Sequence, residues 1–474
     1  MSVNYLSAKE LLTQFKNKKL SPVEVIQSYQ QRFLQINDKV NAFSFTFFDR
    51  ALEHAKLAEQ AYINNTASGL AGLAVAFKDE TFIEGEPMTN GSLCLKDNIA
   101  TSTDPVPEAL LSAGVINIGR TTTPEFSTSS TTWSKLWGVS RSPWNLSMTC
   151  GGSSGGSAIA VASGMCSFAN GTDIGGSIRI PAAMCGIYGY KPPHGRVAEI
   201  SPYNIDPYCH HSLLTRTLDD LLLAYPHIKG PHWQDSHSFI PDVNPQLIPT
   251  KHIKQLKIAI SVDLGFYQVD EDIKANLLKT AKVLEQAGAI VELVDINWDE
   301  QVMQTAKVHQ RALMGQMLKR EYSGSEKFEL LTPYVQSYLE SVSKTTLEDV
   351  LDANIHACKM WDELAKVFRE YDLVICPTVA TSNISADFDY SKDSVFINGQ
   401  QVDANKGWFM TYPFNTLGQC PVLSMPNGFC LNGMPSSIQL VGRPYQEEHI
   451  FIVAKLLEQQ QVGQLYKTQF PGFV

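Results

Sequence analysis

The sequence predicts an α/β fold, with helices packed about a β-sheet. Three observations carry that prediction. Short apolar runs such as LAGLAVAF (70–77), AGVINIG (113–119) and LKIAISV (256–262) read as buried strands. The runs LKIAISV and AIVELVD (289–295) flank a helical stretch, DEDIKANLLKTAKVLEQAG, which suggests a βαβ unit. Strands and helices then alternate along the chain, the pattern of a sheet sandwiched by helices.

The elements follow in order. Ser7-x-x-Glu10 forms a capping box ahead of one helix. Ser21-Pro22-Val23-Glu24 forms a second, with proline at the first helical position. Val23, Ile26, Tyr29, Phe33 and Ile36 repeat at helical spacing. These two helices are expected to pack on the main body as an antiparallel pair, within a helical part spanning 1–65. SAIAVASGM (157–165) reads as an Ala-rich helix ended by Gly164, and CSFANG (166–171) as a strand. Residues 230–252, rich in Pro, Asp and Ser, read as a long loop. Residues 299–320 and 346–370 look helical, which makes 299–370 a helical insertion. DLVICPT (372–378) and SSIQLVG (436–442) are strand-like. No repeat, low-complexity tract or clean linker appears, so one domain over 1–474 is expected.

Composition narrows the function. The chain has 474 residues, 44% hydrophobic and 18% charged, ordinary for a globular protein able to bury its core without staples. A net charge of −10 argues against an autonomous nucleic-acid surface. Nine cysteines without a C-x-x-C pair read as reduced thiols. MSVNYLSAKELLTQFKNKK lacks an apolar signal core, and no run approaches the ~18 apolar residues of a membrane span. A cytoplasmic protein with no membrane partner is expected; homo-oligomerisation is left open. Neither H-E-x-x-H nor G-x-x-x-x-G-K-[ST] occurs, and no metal or cofactor is expected.

Two glycine-serine segments carry the chemistry. Gly151-Gly152-Ser153-Ser154-Gly155 matches G-x-S-x-G, the pattern of an α/β-hydrolase nucleophile elbow. Asp173-Ile174-Gly175-Gly176-Ser177-Ile178-Arg179 is the second. Successive glycines let a backbone aim several N–H groups at one spot, where a serine's attack would develop an oxyanion. Either serine needs a base. His194 is the one histidine close to these segments in sequence, and His210, His211 and His449 are candidates only through the fold. Lys78, ending an apolar run, is the alternative: desolvation there would lower its pKa toward neutrality.

Lys78 and the segments 151–157 and 171–179 resemble the amidase signature family. AFKDE, GRTTTPEF, SPWN, YGYKPPHGRV, LTRTLDD, DLVICPT, PFNTLGQCPVLSMPNG and SIQLVGRPYQEE fall in that family's order, so the likeness covers nearly the whole chain. The resemblance implies a central mixed β-sheet covered on both faces by helices. It implies hydrolysis of a carboxamide C–N bond by a Ser-Ser-Lys triad through an acyl-enzyme. Ser177 is then the nucleophile, Ser153 a bridging serine with a cis peptide at its own nitrogen, and Lys78 the terminal base. Backbone N–H groups of Ile174, Gly175, Gly176 and Ser177 would hold the oxyanion. Ser154 and Ser157 would cap or pack the helix start, and Asp173 and Arg179 would brace the loop. Cys150 departs from the family, which usually has proline there.

Other readings differ in the attacking group or the substrate. The glutaminase component of a glutamyl-tRNA amidotransferase is one, although IDPYCHHSLLTRTLDD departs from that branch at Pro207 to His211. A serine esterase with Ser153 attacking is another, and it leaves 170–192 unexplained. A binding relative without catalysis is a third. The partner is a small-molecule amide, whose pocket is expected from 126–137, 198–213 and the helices of 299–370, with Trp133, Trp137, Tyr203 and Tyr208 as candidate walls.

Overall fold

A computed structural model describes residues 2–239 and 255–472. Most of the loop expected over 230–252 therefore lies outside the described residues.

An eleven-stranded mixed sheet forms the centre, covered on both faces by helices. Its strands, in chain order, are β1 (Phe43–Thr46), β2 (Ala74–Lys78), β3 (Ile116–Thr121), β4 (Phe168–Thr172), β5 (Tyr188–Lys191) and β6 (His211–Thr215). Then come β7 (Lys257–Ile260), β8 (Ile290–Leu293), β9 (Leu373–Pro377), β10 (Val422–Phe429) and β11 (Pro435–Gly442). The spatial order is β1-β3-β2-β4-β6-β5-β10-β11-β9-β7-β8. Strands β3, β2 and β4 run parallel, as do β9, β7 and β8; the rest pair antiparallel.

Alternation along the strands explains the two-sided core. Leu373 and Ile375 join one apolar cluster, while Val374 and Cys376 join another. Leu423 and Val422 divide the same way. Successive side chains point to opposite faces, so a sheet covered twice needs continuous rather than alternating hydrophobicity. That is why AVAFK in β2 is buried throughout. The predicted βαβ unit is present: β7 and β8 pair in parallel around the helix Glu271–Gln286.

At the N-terminus both capping boxes form, Ser7 with Glu10 ahead of α1 (Ala8–Lys16) and Ser21 with Glu24 ahead of α2 (Pro22–Val40). The expected antiparallel pairing of these two helices is corrected. Helix α2 packs on α3 (Phe48–Ile63), and α1 packs on the helix Leu218–Ile228. Lys9 explains the second contact, since its backbone N–H and ammonium reach Asp220 and Asp219 at 3.2 and 3.0 Å. Within the 299–370 segment, Gln301–Gln310 runs through a π-helical turn, Arg311–Gly315, into Gln316–Tyr322. A helix not foreseen, Pro333–Val342, precedes the long Leu347–Glu370.

Candidate active site

The parallel pairing of β2 with β4, Ala76 opposite Ala169, carries the C-terminal ends of both strands to one place. Lys78 ends β2 and Thr172 ends β4. The second glycine-serine segment leaves directly from Thr172, and the first leads into α4 (Gly155–Ala162).

Lys78 is fully buried. Its Nζ lies 2.7 Å from Ser153 Oγ, 2.7 Å from Thr172 Oγ1 and 2.6 Å from Glu80 Oε2. Thr172 Oγ1 in turn donates to Glu80 Oε2 at 2.8 Å. Burial pushes the Lys78 amine down from its ordinary value, and the Glu80 carboxylate pulls part of the way back. Lys78 and the hydroxyl that it holds drive Glu80 below the usual carboxylate range, against the cost of its burial.

The two serine segments are tied together. Ser154 N–H donates to Ser177 O at 3.1 Å. The peptide between Gly152 and Ser153 is cis. Asp173 anchors the loop: its carboxylate accepts from Gly176 N at 2.7 Å and Ile178 N at 3.3 Å, and forms a two-point pair with Arg179 at 2.9 and 3.0 Å. Asn415 closes this buried group, giving its Nδ2 to Asp173 Oδ1 (2.8 Å) and accepting from Arg179 Nη2 (2.6 Å). Gly176 holds φ +126°, and a Cβ there would run into Thr411, so only glycine fits the turn.

The geometry alters three expectations. Gly176 N–H, expected at the oxyanion, is already given to Asp173. Ser154 makes no side-chain cap: its Oγ turns to Thr172 O at 3.4 Å, while Ser157 packs against Thr121 Oγ1 at 2.7 Å. His211, read as part of a loop, opens β6. His211 stays neutral, pushed down to about 3 by burial, and its Nε2 meets Asn170 Nδ2 at 2.7 Å.

Cys150, which departs from the family's usual proline, is fully buried. Its buried Sγ sits 3.5 Å from Ser140 O and 3.3 Å from Gly151 O, and burial pushes the thiol up to about 12, which disfavours the thiolate a nucleophile needs. Nor does an elbow form at Ser153: the segment before it carries only isolated bridges, at Met148 and Thr149, instead of a strand.

A cavity of about 540 Å³ opens beside Ser153, Thr172 and Ile174. Met88, Phe126, Met314, Met317, Leu318 and Tyr322 form its apolar wall. A smaller recess of about 50 Å³ holds Ser177, Gly175 and Lys406. Tyr203 lines the large cavity as expected, but Trp133, Trp137 and Tyr208 pack elsewhere. Trp133 stands edge-on to Tyr334, Trp137 donates to Thr89 Oγ1, and Tyr208 stacks on His309 at 3.5 Å. Among the described residues no cluster of three or more His, Cys, Asp or Glu could hold a metal ion. No described helix is long and apolar enough to cross a membrane.

Glu80 escaped sequence reasoning. It lies in the turn that follows β2, closed by Thr81 N–H on Lys78 O at 3.0 Å, and strand spacing gave no signal for a contact made by that reversal.

A family model described as Amidase matches residues 24–451. The chain belongs to the amidase signature family. This amidase is 30% identical over 456 residues to an acylamidase of Rhodococcus erythropolis, across 93% of this chain and 92% of that protein. It is 31% identical over 510 residues to the A component of the glutamyl-tRNA(Gln) amidotransferase of Desulfotalea psychrophila, across 99% of this chain and 100% of that protein. The solved structure of a bacterial aryl acylamidase of the amidase signature family superposes with a TM-score of 0.88 at 28% identity, covering 98% of both chains. The protein is an amidase, acting on amide carbon–nitrogen bonds.

Proposed function

We propose that this amidase hydrolyses a small carboxamide with Ser177 as nucleophile, Ser153 as proton bridge and Lys78 as base. The observation that carries the reading is the buried 2.7 Å contact of Lys78 Nζ with Ser153 Oγ, on a loop tied through Ser154 to Ser177. Neutral Lys78 takes a proton from Ser153 as Ser153 takes one from Ser177. Ser177 Oγ attacks the amide carbon, and the N–H groups of Ile174, Gly175 and Ser177 hold the oxyanion. The relay then returns the proton to the leaving nitrogen, which cannot depart as an anion. Water repeats the cycle on the acyl-enzyme and frees Ser177. Loss of one oxyanion donor typically costs about 2.7–4 kcal/mol, which supports a role for Asp173, Arg179 and Asn415 in keeping the loop rigid.

The small-amide reading is favoured over a glutaminase component of an amidotransferase. The described lining of the large cavity includes no lysine or arginine to receive a free amino acid's carboxylate, and Lys406, on the recess that holds Ser177, is pushed down to about 7 by burial. Ser153 as esterase nucleophile loses its support with the missing elbow.

A fluorophosphonate labels a nucleophilic serine beside an oxyanion hole. Mass spectrometry of the labelled protein is expected to place the adduct on Ser177, with Ser177→Ala unlabelled and still folded. An adduct on Ser153 that survives Ser177→Ala overturns the assignment.

A further inference from the structure

The large cavity has an acidic side that the proposed relay leaves unused. Asp104 and Glu199 line it together with Glu80. Glu80 is matched by Lys78. Neither Asp104 nor Glu199 makes an ion pair with a lysine or arginine among the described residues, although the Arg120 charge acts on Asp104 from further off. Asp104 is 93% buried by the 7% exposure of its residue, and only its Oδ2 is engaged, by Phe82 N–H at 2.9 Å. Its Oδ1 is buried without a hydrogen-bond partner among the described residues.

Glu199 has no better counter-charge. Its nearest basic side chain among the described residues is His211, with Nδ1 3.9 Å from Glu199 Oε1, beyond hydrogen-bond reach. That imidazole is neutral, since burial holds it far below its usual value. Arg120 stands behind Asp104 but is directed at the carbonyls of Lys78 and Thr81 and at Glu86. Burial, with the Glu80 charge adding to it, pushes Asp104 up to about 7, and burial with the charges of Asp104 and Glu80 pushes Glu199 well above the carboxylate range. Unmatched buried carboxylates are costly, and a cation between them would remove that cost.

We infer that the amide substrate carries a primary ammonium group on an apolar chain, with the ammonium seated between Asp104 and Glu199 and the chain along Met314, Met317 and Leu318. The inference rests on the hydrolase reading above and names its substrate class. The two carboxylates offer acceptors to a three-donor ammonium, and the methionine and leucine side chains cover methylenes without demanding a fixed shape.

The test uses two matched pairs of amides at pH ~8.5, where an alkylammonium is charged. 5-Aminopentanoyl p-nitroanilide is compared with the hexanoyl compound, and N-acetyl-1,5-diaminopentane with N-acetylhexylamine. The expected result is a preference in kcat/KM of about tenfold or more for the cationic member of at least one pair, the scale of one charge-assisted hydrogen bond. That ratio is expected to fall toward one in Glu199→Gln and in Asp104→Asn, whose amide oxygen still accepts from Phe82. Turnover of the neutral members at equal or higher efficiency overturns the inference while the hydrolase reading stands. A cationic preference unchanged in both variants overturns it equally.

If no amide of the panel is hydrolysed, the hydrolase reading fails instead, and calorimetry decides the site alone. Hexylamine is expected to bind at least about tenfold more tightly than hexan-1-ol, with the difference lost in Glu199→Gln. Equal binding of the two overturns the inference.

Discussion

Lys78 Nζ lies 2.6 Å from Glu80 Oε2 and 2.7 Å from Ser153 Oγ, so the amine proposed as the base is held by a carboxylate as well as by the serine that it would deprotonate. The pairing opposes burial: one favours the ammonium, the other the free amine.

Glu80→Gln removes the charge that favours the ammonium. The acid limb of kcat/KM, where Lys78 must lose its proton, is therefore expected to move to lower pH, by about one to three pH units for a partner so close. A pH–rate profile on a neutral amide checks it. An unmoved limb, or a shift to higher pH, removes Lys78 as the titrating base.

Lys78→Ala is expected to reduce amide turnover by about 10²–10⁴-fold, the range of a positioned base, with residual activity rising toward alkaline pH. Matching ester substrates should suffer less, because an alkoxide leaves with little need of a proton. Steady-state kinetics on an amide and ester pair of the same acyl group reads the difference. Equal losses would deny the relay its role in leaving-group protonation.

Asp173→Asn strands Arg179 in a site where both side chains are fully buried. Removing one partner of such a pair typically costs about 3–5 kcal/mol. A fall in unfolding free energy of that size, read from urea denaturation, is expected at pH 7. The dependence on acidity has a definite sign. The Arg179 guanidinium and Asn415 hold the Asp173 carboxyl well below its ordinary value. Its contribution is therefore complete above the unfolded-state pKa near ~3.9 and declines only as the pH falls below that value. Parent and variant stabilities should accordingly converge in acid and differ most near neutrality.

Alkylation of the folded protein by iodoacetamide at pH ~8 is expected to modify Cys358, which is exposed, and to spare Cys150. Peptide mass spectrometry in and out of denaturant distinguishes them. Rapid labelling of native Cys150 would contradict its burial beside Ser140 and Gly151.

Much of this was legible in the chain. Lys78 ends an apolar run because its strand is covered on both faces, and the two glycine segments announce turns that only glycine makes. The capping boxes of Ser7 and Ser21 form as local chemistry dictates. What escaped is what depends on distant partners. The pairing of α2 with α3 is a tertiary choice between amphipathic faces, and strand periodicity does not name a strand's neighbours. Gly176 N–H was assigned to an oxyanion because nothing local says that Asp173, three residues earlier, folds back to claim it. Asp104 lies far from the glycine segments in sequence, and Glu199 was lost in a loop whose glycine-free composition gave no signal.

The parallel ladder of β2 and β4 also divides the molecule by descent. The proposed relay hangs on backbone pairing, Ala76 with Ala169, that any apolar side chains can sustain. The walls of the large cavity come from elsewhere: the turn and helix over 311–322 and the segment at 199–203. Drift in those segments trades one amide for another and leaves the ladder untouched, whereas a one-residue slip of β4 would displace Thr172 and the whole Ser177 loop together. Selection can therefore explore appetite separately from chemistry, and a single ancestral sheet can supply many substrates' worth of descendants.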